Sequence, residues 1–349
     1  MYRPSSRNEW GVCGALLTQA TLVIALEIYI LVQWQLWVKP TITQVPVSYN
    51  IPIGLGILSF ACIYQLILAL DGTHQKNNIL LFAICIANLC LVAYAAMQCT
   101  TMQDTTARLY ADRFATPSLV DPSRNVWTRI QPAEILVPII LAITSLVLWP
   151  AVYFTHRDYS WVIYKSVHGS PKTRWRYMAY EVYLVLIKLD FFFLVAFIVQ
   201  YGLIDVHFQE PEYSLTMAII PAAFIVMVLG IYVVKNELVI GIVPIITCYI
   251  GLVVYFISRL IVLNGDGIRA NTVGKQMMLL WAWISLALTL ALLICSVVCL
   301  INFNHGLKNV KRGINREARG AYMLHSTPYA TTDQWPAQHR YSSGRMSLD

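Results

Sequence analysis

Long apolar runs separated by short polar or Gly- and Pro-containing connections fill most of this chain. Eight of them approach or exceed the ~20 residues that a helix needs to cross a hydrocarbon core. They are Gly11–Leu36, Ile51–Leu70, Asn78–Met97, Ala133–Tyr153, Met178–Ile204, Leu215–Val234, Leu238–Leu263 and Gln276–Ile301. Only Lys235-Asn236-Glu237 separates the sixth from the seventh, which predicts a tight antiparallel pair. Read as one span, Leu215 to Leu263 would run 49 residues, too long for a single crossing of about 20. The pattern therefore predicts an all-α, polytopic membrane bundle of about eight helices. Residues 1–10 form a short N-terminus, 11–301 the membrane domain, and 302–349 a basic and polar tail of disordered composition.

Composition agrees, with 58% hydrophobic and only 12% charged residues; a soluble domain carries roughly 25% charged. The net charge of +7 could point to nucleic acid, but the Lys and Arg residues sit beside span ends and in the tail. Their distribution sets orientation instead. With the N-terminus in the cytosol, that side receives 16 basic residues and the opposite side seven, so both termini are expected in the cytosol. Seven of the eight cysteines lie inside hydrophobic segments and Cys99 at the end of one, with no CxxC or Cys/His cluster. Neither a disulfide framework nor a metal site is expected. HExxH, GxSxG, P-loop and GxGxxG motifs are absent, so no enzymatic activity and no cofactor are expected.

The fifth span, MAYEVYLVLIKLDFFFLVAFIVQYGLI, holds Lys188 and Asp190 near its midpoint. Charges at that depth normally face the protein interior and find partners. Two positions apart on a helix differ by about 200°, so these two point to nearly opposite sides. That predicts a central helix with a partner on either side. Glu27, in the first span, can reach a similar depth. One reading of Glu27, Lys188 and Asp190 is structural: a Glu27–Lys188 ion pair pins two helices, while Asp190 bonds to Asn88, a tyrosine or a buried backbone group. The other is a protonatable centre in a water-accessible cavity that couples proton movement to a solute. Asn88, Gln200 and Arg259 could line such a pathway, although interhelical hydrogen bonding and, for Arg259, reaching to headgroups are the ordinary uses.

The connection over 154–177 carries Trp161 and Lys165, which fit a short interfacial helix, and the Arg174-Trp175-Arg176 collar. The lipid bilayer is the expected partner, with anionic headgroups a reasonable contact at this loop.

Several segments together resemble a fungal family of uncharacterised multi-pass Golgi apparatus membrane proteins. The most specific is YKSVHGSPKTRWRYMAYEVYLVLIKLDFFFLVAFIVQY with its KLDFFF core; LLTQATLVIALEIYILVQWQ, ALDGTHQKNNILLFAICIANLCLVAYAAMQ and WTRIQPAEILVPI follow the same pattern. These blocks run in order from about Leu16 to Tyr201. The resemblance implies a Golgi or related endomembrane protein and supplies no mechanism. Two functional classes stand: a transporter-like or cargo-handling protein built around the charged centre, and a scaffold or receptor-like protein acting through its cytosolic loop and tail.

Overall fold

In lipid every backbone N–H and C=O must be satisfied within the protein, which leaves closed barrels or helices as spanning structures. The computed structural model takes the helical solution. It describes residues 6–39, 46–111, 120–121, 124–166, 171–205, 211–265 and 274–303, with the backbone alone at 46–49, 160–166, 171–174 and 177. Among these residues are eight helices: α1 (Arg7–Trp37), α2 (Pro46–Gln75), α3 (Asn78–Ala111), α4 (Trp127–Ser166), α5 (Pro171–Ile204), α6 (Glu212–Asn236), α7 (Val239–Asn264) and α8 (Lys275–Asn302). All eight contain a stretch long and apolar enough to cross a membrane.

Several helices overrun the boundaries expected from hydropathy. α3 continues well past Met97 to Ala111, and α2 past Leu70 to Gln75. α4 has 40 residues despite Pro132, Pro138 and Pro150 within it. At 1.5 Å per residue it is about 60 Å long, twice a ~30 Å hydrocarbon core. Its C-terminal part takes in the segment expected to form a separate interfacial helix, which is instead continuous with the span. The polar tail from 304 onward lies outside the described residues.

Local chemistry fixes the helix ends that matter. Ser6 caps α1 through a capping box: the Glu9 amide donates to Ser6 Oγ at 3.2 Å and the Ser6 amide to Glu9 Oε2 at 3.4 Å. The Tyr159 hydroxyl donates to Glu9 Oε1 at 2.8 Å, tying the start of α1 to α4. The α2–α3 and α6–α7 turns both reverse through a non-glycine residue in the left-handed region, Lys76 and Glu237, each with φ of 53°. In both, an amide reaches back five residues, Asn77 to the Gly72 carbonyl (2.9 Å) and Leu238 to the Val233 carbonyl (3.1 Å). This is the Schellman pattern that ends a helix abruptly. The tight α6–α7 pair read from Lys235-Asn236-Glu237 is thus present.

Helix contacts form two four-membered rings. α1 packs on α2, α2 on α3, α3 on α4 and α4 on α1; α5 packs on α6, α6 on α7, α7 on α8 and α8 on α5. Contacts of α2 and α3 with α5, and of α3 with α8, join the rings. α5 is the hub predicted from its charges. Of its most apolar stretch 72% is buried, against 50% for α2 and α3 and 33% or less for the other helices. Close approach at the hub depends on Gly230 of α6, where a Cβ would stand 2.7 Å from Ile187 Cδ1 and 2.8 Å from the Tyr183 hydroxyl. Large apolar side chains such as Leu146, Ile240 and Ile301 face outward, as a lipid-facing surface requires.

Candidate functional site

The structure separates the three charges that the sequence grouped. Lys188 points from α5 to α2 and forms an ion pair with Asp71. The Tyr64 hydroxyl, also on α2, donates to the Lys188 carbonyl at 2.8 Å. Asp190 faces the opposite side, where Thr289 of α8 donates to its Oδ1 at 2.8 Å. The opposed directions of Lys188 and Asp190 are as expected, but the Glu27–Lys188 pair is not formed, and Thr289 takes the place foreseen for Asn88, a tyrosine or a buried backbone group. Hydropathy ended the second span at Leu70. Because α2 continues to Gln75, Asp71 sits on the helix, within reach of a long lysine.

Glu27 belongs to a different cluster. Its side chain lies inside the α1–α4 ring with Glu134 of α4 and with Tyr94 and Gln98 of α3. Glu27 and Glu134 are each 2% exposed, Gln98 7% and Tyr94 0%. The Gln98 side-chain amide stands beside both carboxyl groups. Gly54 of α2 leaves room for this meeting: a Cβ there would be 3.4 Å from both Gln98 Oε1 and the Tyr94 hydroxyl. Trp281 of α8 closes the cluster toward the second ring, its ring centroid 4.7 Å from that of Tyr94.

Polar atoms in this cluster are conspicuously unsatisfied. Both Glu27 oxygens, Glu134 Oε2, Gln98 Oε1, the Tyr94 hydroxyl and Trp281 Nε1 are buried without a partner in hydrogen-bonding geometry. The cations of the other spans are already engaged, Lys188 by Asp71 and Arg259 by Glu212. Among the described residues no Lys or Arg forms an ion pair with Glu27 or Glu134. Two carboxyl groups with no counter-charge inside a membrane bundle violate the usual rule that buried charges are paired.

Glu134 and Gln98 escaped the sequence reading because each fell beside an assumed span end, at Ala133 and Met97. The usable signal was the continued helical spacing of Tyr94, Gln98, Met102, Thr105 and Leu109, all buried on one stripe of α3.

The residues proposed as a polar lining enter separate networks. Asn88 donates to Ser145 Oγ at 2.8 Å and accepts from Gln19 at 3.0 Å, and Gln19 also donates to Gln65 at 3.3 Å. These bonds join α1 to α4 inside the first ring. Arg259 does not extend freely to headgroups: it pairs with Glu212, donates to the Tyr201 hydroxyl at 3.0 Å and lies over the rings of Tyr201 and Tyr255 at 5.3 and 5.0 Å. Gln200 on α5 is fully buried with neither amide atom bonded.

Of the expected headgroup contacts, Trp175 is 66% exposed at the start of α5. Arg176 lines a shallow cleft with Tyr180, Val234, Cys299 and Phe303. The side chains of Trp161, Lys165 and Arg174 lie outside the described residues. No group of three metal-ligating His, Cys, Asp or Glu side chains occurs among the described residues.

No family model and no solved structure matches the chain. It is 25% identical over 279 residues to a UPF0658 Golgi apparatus membrane protein of Schizosaccharomyces pombe, covering 74% of this chain and 78% of that relative. The likeness reaches beyond the Leu16–Tyr201 blocks on which the resemblance was first read. The chain is thus a multi-pass membrane protein related to the UPF0658 Golgi apparatus membrane proteins, an uncharacterised family, and that relationship supports the Golgi membrane as its location.

Proposed function

We propose that this protein is a proton-coupled carrier of the Golgi membrane, with both termini in the cytosol. The observation that carries the reading is the imbalance of charge inside the bundle. Lys188 and Arg259 each have a carboxylate partner, whereas among the described residues no Lys or Arg forms an ion pair with Glu27, Glu134 or Asp190. A carboxyl group in that setting stays neutral by carrying a proton or by meeting a cation from water, and exchange between those states is the elementary step of a coupled carrier. The expected centre of Glu27, Lys188 and Asp190 is accordingly revised. Lys188 serves structure, Glu27 works with Glu134 in the first ring, and Asp190 is the carboxyl group of the second.

Proteoliposomes with a pH dye trapped inside, under an imposed pH gradient and with Na+, K+, Ca2+ or Mn2+ offered in turn as the counter-ion, test the proposal. Wild-type protein dissipates the gradient, and Glu27→Gln or Asp190→Asn abolishes this flux while leaving the melting temperature and Golgi delivery intact. Loss of both variants to misfolding, or flux unchanged by either, favours the scaffold reading, in which the cytosolic loop and tail engage partners.

A further inference from the structure

The donor set of the first ring is more specific than a proton site requires. Glu27 and Glu134 bring carboxylate oxygens from α1 and α4, Gln98 an amide oxygen and Tyr94 a phenol oxygen from α3. Every one of these is oxygen, and no histidine or lysine nitrogen is among them. Such a set favours a hard cation of the Ca2+ or Mn2+ class over soft, thiolate-seeking ions. Gln98 Oε1 and the Tyr94 hydroxyl, on side chains more than nine-tenths buried, have no partner in hydrogen-bonding geometry, and they meet over Gly54. Among the described residues the titratable groups around Glu27 and Glu134 are Tyr94 and Cys99 of α3 and Cys62 of α2, with no basic side chain among them.

We infer that Glu27, Glu134 and Gln98 form a binding site for one hard divalent cation, taken up in exchange for two protons. This rests on the carrier reading and names its second substrate. Charge balance drives the choice of a divalent ion. With both carboxyl groups protonated the site is neutral, and Gln98 Oε1 accepts a hydrogen bond from a carboxyl O–H. When the cation enters, both O–H bonds break, two protons leave to water, and two carboxylates neutralise the dication. Gln98 Oε1 then turns from accepting a proton donor to coordinating the ion. Both end states are neutral, so neither leaves a net charge in the low-dielectric interior. A monovalent ion replacing two protons would leave one negative charge uncompensated. Glu27 lies in the second half of α1 and Glu134 in the first turns of the antiparallel α4. The site therefore lies toward the face that the Lys and Arg distribution assigns to the lumen.

The test is Mn2+ binding by electron paramagnetic resonance to the full chain in nanodiscs, together with proton release in weakly buffered solution. Wild-type protein should bind Mn2+ at one saturable site, release two protons per ion and be competed by Ca2+. Because both ligands must lose a proton, affinity should fall as pH falls, by up to about 100-fold per pH unit. Glu27→Gln and Glu134→Gln should each weaken binding at least tenfold, with Cys248→Ser, at an exposed position of α7, as the neutral control. The proton count is read on the wild-type protein and stands if a variant fails to fold. Absence of a saturable site, or binding without proton release, overturns the inference. Proton flux in proteoliposomes without Mn2+ binding also overturns it, while the carrier reading survives. Mn2+ binding without flux supports the site and removes the carrier reading instead.

Discussion

At the scale of single residues, this bundle handles each intramembrane charge differently. Lys188 and Asp71 satisfy each other as an ion pair at partial exposure, 16% and 34%. Removing one member of a buried pair leaves the other charge stranded, which costs about 3–5 kcal/mol when burial is complete. With this degree of exposure, Asp71→Asn is expected to cost about 1–3 kcal/mol. The double variant Asp71→Asn with Lys188→Met should recover part of that, read by thermal melting in detergent. Glycine positions give an independent check. A methyl at Gly230 would meet Ile187 at 2.7 Å, and such overpacking costs about 1–3 kcal/mol. At Gly54 the nearest atoms are 3.4 Å away, so Gly54→Ala should fold normally. Gly54→Leu should displace Gln98 and reduce Mn2+ binding with the fold retained. What the sequence showed at this scale was which charges are unusual; who meets whom was hidden, because a partner such as Asp71 or Glu134 near a span end looks like headgroup decoration.

Helices as elements were the most legible feature, since apolar runs of spanning length leave little choice of structure. Their ends were not. Hydropathy falls where a helix leaves the hydrocarbon, but hydrogen bonding carries it on until a cap or turn intervenes, as for α3 to Ala111 and α4 to Ser166. This displacement of ends explains why Gln98 and Glu134 were passed over. The α6–α7 turn shows a stop that sequence could place, with Glu237 held at φ of 53°. The left-handed conformation costs a non-glycine residue about 1 kcal/mol. Glu237→Gly should therefore raise the melting temperature or leave it unchanged.

Across the whole molecule, the ring arrangement was illegible because nothing in a hydropathy pattern states which faces of eight similar helices touch. The central place of α5 was legible, since mid-span Lys188 and Asp190 require protein on both sides. Orientation rests on the distribution of basic residues. An Asn-x-Thr acceptor introduced within 112–119 should be glycosylated, and one appended to the C-terminal tail should not; the reverse pattern would invert the bundle.

On the proposed reading, Glu27 and Glu134 are neutralised by protons or a cation from water and not by a basic side chain. Infrared difference spectroscopy of the nanodisc-embedded protein, taken between metal-free and Mn2+-containing buffer, tests it most directly. Adding Mn2+ should remove a protonated-carboxyl band with a matching gain of carboxylate signal, and the Glu27→Gln, Glu134→Gln double variant should show no such change. A spectrum unaltered by Mn2+, or the same change persisting in the double variant, would contradict it.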